Sequence, residues 1–174
     1  MNWITRRSYA WPVLIAVVIF AALNAAASPA FTDVSNWNGL LIGAAPFILT
    51  AMAQTAPVMS GDGGIDLSVG PLAGLVNAMV TSILVPSGWG DPATIICASL
   101  GVGILAGLIN GVLIAVVRVQ PIIATLGTYL AFQGLTLELL PMAGGQAPPW
   151  LVGLSGSFGG VPGMLILVVA VGAI

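Results

Sequence analysis

The sequence predicts an all-α protein, a polytopic transmembrane helix bundle of five full spans plus an incomplete sixth. Three observations predict it. First, 59% of the 174 residues are hydrophobic and only 5% are charged, with a mean hydropathy of +1.13. A soluble domain carries about 25% charged residues, and some of every soluble fold must face water. Second, the eight charges (Arg6, Arg7, Arg118, Asp33, Asp62, Asp66, Asp91 and Glu138) leave residues 8–32, 34–61, 67–90, 92–117, 119–137 and 139–174 uncharged. A spanning helix needs about 20 apolar residues to cross the hydrocarbon. Third, the apolar runs are continuous rather than alternating as in barrel strands, and lipid obliges a spanning backbone to satisfy its own hydrogen bonds.

The elements follow in order. Segment one runs from about Trp11 to Ala27, with Trp3, Tyr9 and Trp11 suited to an interfacial belt. Arg6-Arg7, the apolar run and Ala25-Ala26-Ala27 also fit an export signal. A membrane-embedded remainder makes a first anchor the simpler reading. Segment two covers Gly39–Met59, segment three about Val69 to Val85, segment four Ala93–Val117 and segment five Pro121–Leu140. Pro121 suits a first helical turn, where no amide is needed. Residues 142–162, rich in Gly and Pro and carrying Trp150, read as an external hairpin or interfacial element. A sixth segment begins near Val161; its 14 residues to Ile174 cover only about 21 Å. The expectation is one transmembrane domain, 1–174, truncated at its C-terminus. Placing the N-terminus in the cytoplasm puts Arg6, Arg7 and Arg118 on that side, as the positive-inside rule asks. Asp33 and Asp91 then fall outside.

Composition also excludes functions. The high hydrophobicity excludes intrinsic disorder. Three cations are too few for a nucleic-acid partner. There is no His and one Cys, Cys97, which removes disulfide frameworks, zinc sites and His-based catalysis. No nucleophile–base pair points to an enzyme, and no metal site or catalytic residue is expected. Cys97, within a span, reads as packing.

The densest unusual stretch is Ser60-Gly61-Asp62-Gly63-Gly64-Ile65-Asp66-Leu67-Ser68-Val69-Gly70-Pro71. Its glycines break helix and admit close backbone approach. Asp66 and Ser68 stand where segment three starts, an N-cap environment for a carboxylate. Two readings stay open here: a capped turn between spans, or a discontinuous helix beside a translocation path. Ser99, Gly103, Gly107 and Gly111 place a small-residue stripe along one face of segment four, with Asn110 beside it; such stripes let helices pack closely in lipid. Thr50, Gln54, Thr55, Asn77, Thr81, Thr125, Thr128 and Gln133 are polar residues within spans, which need partners or a wet cavity. Ionisable groups are nearly absent from spans two to five, so ion coupling is disfavoured and energy must come from another protein, or the path is passive. Hydroxyls and amides suit a neutral, hydroxylated solute.

Gly63-Gly64-Ile65-Asp66-Leu67-Ser68-Val69-Gly70 resembles the signature of sugar-type permease subunits of bacterial ATP-binding-cassette importers, the ribose/xylose/simple-sugar group. Gln54-Thr55, Gly107-Leu108-Ile109-Asn110-Gly111, Pro121 through Thr128, Gly144-Gly145-Gln146 and Gly160-Val161-Pro162 are similar to that group and follow in its order. The resemblance runs from about residue 40 to 165. It implies a multi-pass inner-membrane subunit that forms half of a translocation pathway with a second permease subunit. A cytoplasmic ATPase would bind the ATP, so the chain needs no cofactor of its own, and a periplasmic solute-binding protein would deliver solute. Gln54, Gly63, Gly64, Asp66, Ser68, Asn77, Thr125 and Thr128 are the residues expected nearest the path or its gate; Ser99, Gly103, Gly107, Asn110 and Gly111 are expected to pack helices. Asp62 departs from the group, which more often has an uncharged residue there. Relatives continue past this point with further spans and a helix that docks on the ATPase, so the chain is expected to represent the N-terminal half or so of the pattern and, alone, not to couple to ATP hydrolysis. A passive pore and a non-transporting remnant are the competing readings.

Overall fold

The computed structural model describes residues 10–61, 64–142, 144–158 and 161–172. Trp3, Arg6, Arg7, Tyr9, Asp62 and Gly63, singled out above, lie outside the described residues.

Helix α1, Ala10–Ala27, is exposed at every position from Trp11 onward. It ends where Ser28 donates its amide to Asn24 O at 2.9 Å. A short helix α2 (Pro29–Thr32) and a 3₁₀ turn (Val34–Asn36) lead into α3, Trp37–Ala53. Pro46 inside α3 cannot donate to the helical ladder; Thr50 Oγ1 donates to the Pro46 carbonyl at 2.9 Å. After a turn at Gln54 the chain continues as α4, Thr55–Ser60, so that 37–60 form one 24-residue apolar stretch.

Helix α5 is Val69–Met79, prolonged by a π turn over Val80–Leu84. Helix α6, Pro92–Gly111, starts on an Asp91 cap that accepts from the Thr94 amide at 2.9 Å, and it too ends in a π turn, Val112–Val116. Helix α7 is Pro121–Leu139. A short α8 (Pro149–Leu154) precedes two antiparallel strands, β1 (Ser157–Phe158) and β2 (Val161–Pro162), and then α9, Gly163–Gly172.

Three of these helices are long and apolar enough to cross a membrane: Trp37–Ser60, Pro92–Val116 and Pro121–Leu139. Trp11–Ala27, Val69–Leu84 and Gly163–Gly172 are apolar but shorter. The architecture is an α-helical bundle of membrane character, and the segments predicted from charge spacing fall on helices within a few residues. One boundary moves. The last helix starts at Gly163, not near Val161, because Val161 and Pro162 pair with Phe158 and Ser157. Gly163 N then donates to Gly156 O at 2.9 Å, closing the hairpin onto the helix start.

Packing centres on α5 against α7, the helix pair with the most extensive contact among the described residues, with α6 touching both. Gly74 of α5 faces Thr136 of α7, where an added methyl would meet the threonine side chain at 3.9 Å. Helix α9 lies along α3, Gly172 beside Met52. The buried apolar residues include the small Ala78, Ala106 and Ala124, with Ile95 and Phe132. Small residues let helix backbones approach in lipid, where no hydrophobic force drives helices together. Large apolar side chains such as Leu100, Ile104, Leu105 and Leu108 point outward from α6. The exterior is thus apolar, and the polar Ser68, Asn110, Thr125 and Thr128 are buried among small alanines between α5, α6 and α7.

Candidate functional site

The site grows from the break between α4 and α5. Gly61 has φ +84°, a conformation glycine adopts without the steric penalty of a Cβ. Gly64 donates its amide to Gly61 O at 2.8 Å and closes the turn. A Cβ at Gly64 would collide with the Pro57 carbonyl and come within 2.8 Å of Ser60 Oγ, so backbone fills all the room at this point.

Asp66 then turns the chain into α5. Its Oδ1 accepts from Ser68 N at 2.8 Å and from Ser68 Oγ at 2.6 Å, a side-chain turn of the kind aspartate favours. Ser68 occupies the N-cap position of α5, yet its hydroxyl makes no cap bond to the helix. It donates to Asp66 instead. The sequence placed both residues at a helix start; the structure shows that the helix end is shaped by the carboxylate gripping Ser68.

Side chains from other helices complete the arrangement. Asn110 Nδ2 on α6 donates to Ser68 Oγ at 2.9 Å, and Thr128 Oγ1 on α7 donates to Asn110 Oδ1 at 2.8 Å. Thr125 Oγ1 donates to Pro121 O at 2.9 Å and reaches Ile65 O at 3.3 Å. Gln54, with its amide oriented to satisfy both groups, donates Nε2 to Asp66 O and accepts from Asp66 N through Oε1, each at 2.9 Å. Gln54 therefore pairs with the Asp66 peptide as a neighbouring strand would.

Burial sets the energetic weight of this network. Ser68 is 1% exposed, Thr125 2%, Asn110 6% and Thr128 7%. Unpaired polar groups in such places cost several kcal/mol in a medium that cannot hydrogen-bond, about 4–8 by transfer to alkane. Here the donors and acceptors meet one another. A cavity of about 300 Å³ opens beside them, lined by Pro57, Ser60, Gly64, Asp66, Ile114 and Thr125 among others. A larger groove of about 590 Å³ runs along α1 past Val13, Ala16, Val17 and Phe20. Its lining is almost wholly apolar and remote from the network, so the smaller cavity is the one that holds chemistry. Among the described residues no three His, Cys, Asp or Glu side chains gather as metal ligands.

Of the residues expected near a path, Gln54, Gly64, Asp66, Ser68, Thr125 and Thr128 come together here; Gly63 lies outside the described residues. Asn77 stands apart. It is exposed on α5, and its carbonyl accepts from Thr81 Oγ1 at 2.9 Å. Among the residues expected to pack helices, Asn110 sits at the centre of the network. Gly103, Gly107 and Gly111 face open space, with no atom within 4 Å of an added Cβ, and Ser99 is half-buried. That Asn110 can hydrogen-bond a neighbouring helix is readable from sequence; its two partners are not, because they lie 42 and 18 residues away. The signal present was an amide within an apolar helix.

Two further polar features mark helix ends. Asp91 is held below the ordinary carboxylate range by hydrogen bonds from the hydroxyl and amide of Thr94, and Asp33 likewise by Ser35. Arg118, between α6 and α7, has φ +63°, the left-handed conformation that usually falls to glycine.

No protein-family model matches the chain, and no solved structure matches it. Curated proteins do. The chain is 34% identical over 141 residues to the galactofuranose transporter permease protein YtfT of Escherichia coli K12, which covers 74% of this chain and 40% of that protein. It is 36% identical over 148 residues to the autoinducer 2 import system permease protein LsrD of Escherichia coli K12, covering 80% of this chain and 42% of LsrD. LsrD of Shigella flexneri matches over the same extent. The chain spans about two fifths of the length of these curated relatives.

Proposed function

The chain is homologous to sugar-type permeases of bacterial import systems over 74–80% of its length, and on that premise we propose that it is part of a permease subunit of an ATP-binding-cassette importer. The solute is a sugar or related hydroxylated molecule. The observation that carries this reading is the pairing of that kinship with a polar, fully bonded centre inside an apolar bundle, next to a cavity. Irregular backbone within a membrane is tolerated where it is buried in protein or lines a cavity, and Gly61, Gly64, Ile65 and Asp66 of this break line the cavity.

In this proposal five segments span the bacterial inner membrane and α9 is part of a sixth, the whole forming one transmembrane domain. The N-terminus is cytoplasmic, which places the Arg118 turn and the α4–α5 break on the cytoplasmic side. Trp37, Trp89 and Trp150 then lie near the opposite interface, where amphipathic rings are favoured. Partners are a second permease subunit, a cytoplasmic ATPase that binds the nucleotide, and a periplasmic solute-binding protein. The protein itself performs no bond chemistry; Gln54, Gly64, Asp66, Ser68, Thr125 and Thr128 lie at or beside the path. The open space beside Gly103, Gly107 and Gly111 supports contact with another helix, whereas Asn77, exposed on α5, lies apart from the network.

Mild-detergent purification of the complete gene product from its own membrane tests the assembly. A nucleotide-hydrolysing subunit is expected to co-purify in near-stoichiometric amount. Recovery of the permease alone under every condition that preserves other cassette importers would contradict it.

A further inference from the structure

The hydrogen bonds of the network run in one direction. Thr128 donates to Asn110, Asn110 donates to Ser68, and Ser68 donates to Asp66. Each hydroxyl can donate once, so the three donations fix one another and end on the carboxylate. Ser68 contributes its amide as well. Asp66 is therefore held from one side as an acceptor, and it also lines the cavity of about 300 Å³.

The other polar side chains of that cavity have spent their protons. Ser60 Oγ donates to Pro57 O at 2.6 Å, and Thr125 Oγ1 donates to Pro121 O at 2.9 Å. The amides of Gly64 and Asp66 are bonded to Gly61 O and to Gln54. Among the described lining residues no side chain is cationic and none carries an amide or indole N–H. What the polar side chains of this wall present is a carboxylate and the lone pairs of two hydroxyl oxygens.

We propose that this cavity is a subsite whose side chains only accept hydrogen bonds, with Asp66 its carboxylate acceptor and Asn110 the positioning residue that holds Asp66 through Ser68. It takes groups that donate, such as the hydroxyls of an uncharged polyol or a small cation, and it repels anions such as phosphate esters and uronates. Its use by a transported solute rests on the importer reading; its charge and its dependence on Asn110 do not.

The test reads the charge directly, without transport. Cys97, which is exposed, is replaced by Ser, and Ile65, a half-exposed residue of the cavity wall, by Cys. The complete gene product in membrane vesicles open to both faces is then labelled with a cationic and an anionic methanethiosulfonate of similar size. A unit charge within several Å, at the effective dielectric of a protein edge, is worth about a tenfold ratio of cationic to anionic labelling. Asp66→Asn is expected to bring the ratio near one. Asn110→Ala, and Thr128→Val at the head of the relay, are expected to cut it at least threefold while the protein still accumulates in the membrane. If either relay variant does not accumulate, the other is read alone; if neither does, Ser68→Ala, which removes the last donation, takes their place. A ratio near one in the parent overturns the subsite. A ratio that Asp66→Asn abolishes but the relay variants leave intact overturns the positioning role of Asn110. Normal ratios together with absent solute uptake would count against the importer reading alone.

Discussion

At the scale of single residues, the centre of the molecule is a set of polar side chains, one of them the Asp66 carboxylate, that would be costly alone in lipid and are bonded to one another. Gln54 shows how local the bargain is: one amide covers both the N–H and the C=O of Asp66, each at 2.9 Å. Gln54→Leu keeps the volume and removes both bonds. Hydrogen bonds between membrane helices are worth about 0.6–2 kcal/mol each, so a fall in the detergent-solubilised melting temperature of several degrees is expected; an unchanged Tm would show that the pairing does not form. Most of these residues were legible from sequence because a polar residue inside an apolar run needs a reason. Which of them meet was not legible. Asn77 and Asn110 look alike as asparagines within predicted spans, yet one is exposed and the other is buried between Ser68 and Thr128. Only the register of α5, α6 and α7 distinguishes them.

At the scale of elements, the ends of helices were readable where chemistry marks them. Pro92 after Asp91, and Pro121 after Gln120, open α6 and α7 where the sequence predicts starts within a residue. The two π turns at Val80–Leu84 and Val112–Val116 were not readable, since a locally wider turn leaves no mark in the composition of a span. The Asp91 cap gives a pH signature. Its carboxyl is lowered in the folded state by Thr94, so its contribution is present above the ordinary aspartate range and is lost as pH falls through the lowered value. Asp91→Asn is therefore expected to melt below the parent at neutral pH, with the difference shrinking in acid. A gap that widens on acidification would reverse the assigned sign. Arg118 combines two demands in one turn. Its left-handed backbone costs an L-residue about 1 kcal/mol relative to glycine, so Arg118→Gly is expected to hold or raise Tm. Arg118→Asp, by contrast, is expected to reduce the fraction of chains with this turn in the cytoplasm, read from a reporter inserted beside it. No change in that fraction would contradict the proposed orientation.

At the scale of the whole molecule, apolar surface faces outward and polar contacts lie within, the arrangement that lipid as solvent requires. Charge spacing made this class legible, because eight charges in 174 residues leave little else for the uncharged runs to do. The lengths of α1 and α5 were legible as well: the expected Trp11–Ala27 and Val69–Val85 match the apolar stretches Trp11–Ala27 and Val69–Leu84, both shorter than the longest spans. For α5 the reason lies in the Asp66–Ser68 turn, which starts the helix inside the bundle beside Asn110 rather than at its edge. The similarity to permeases of the galactofuranose and autoinducer 2 systems, over two fifths of their length, is what the proposed transport role rests on. The most direct test is solute accumulation in proteoliposomes. These would hold the complete gene product with its co-purifying ATPase and binding protein, and would be supplied with labelled neutral sugars with and without ATP. The account predicts accumulation above the external concentration only when ATP is hydrolysed. Equilibration of solute without ATP, or no flux from an intact assembly, would contradict it.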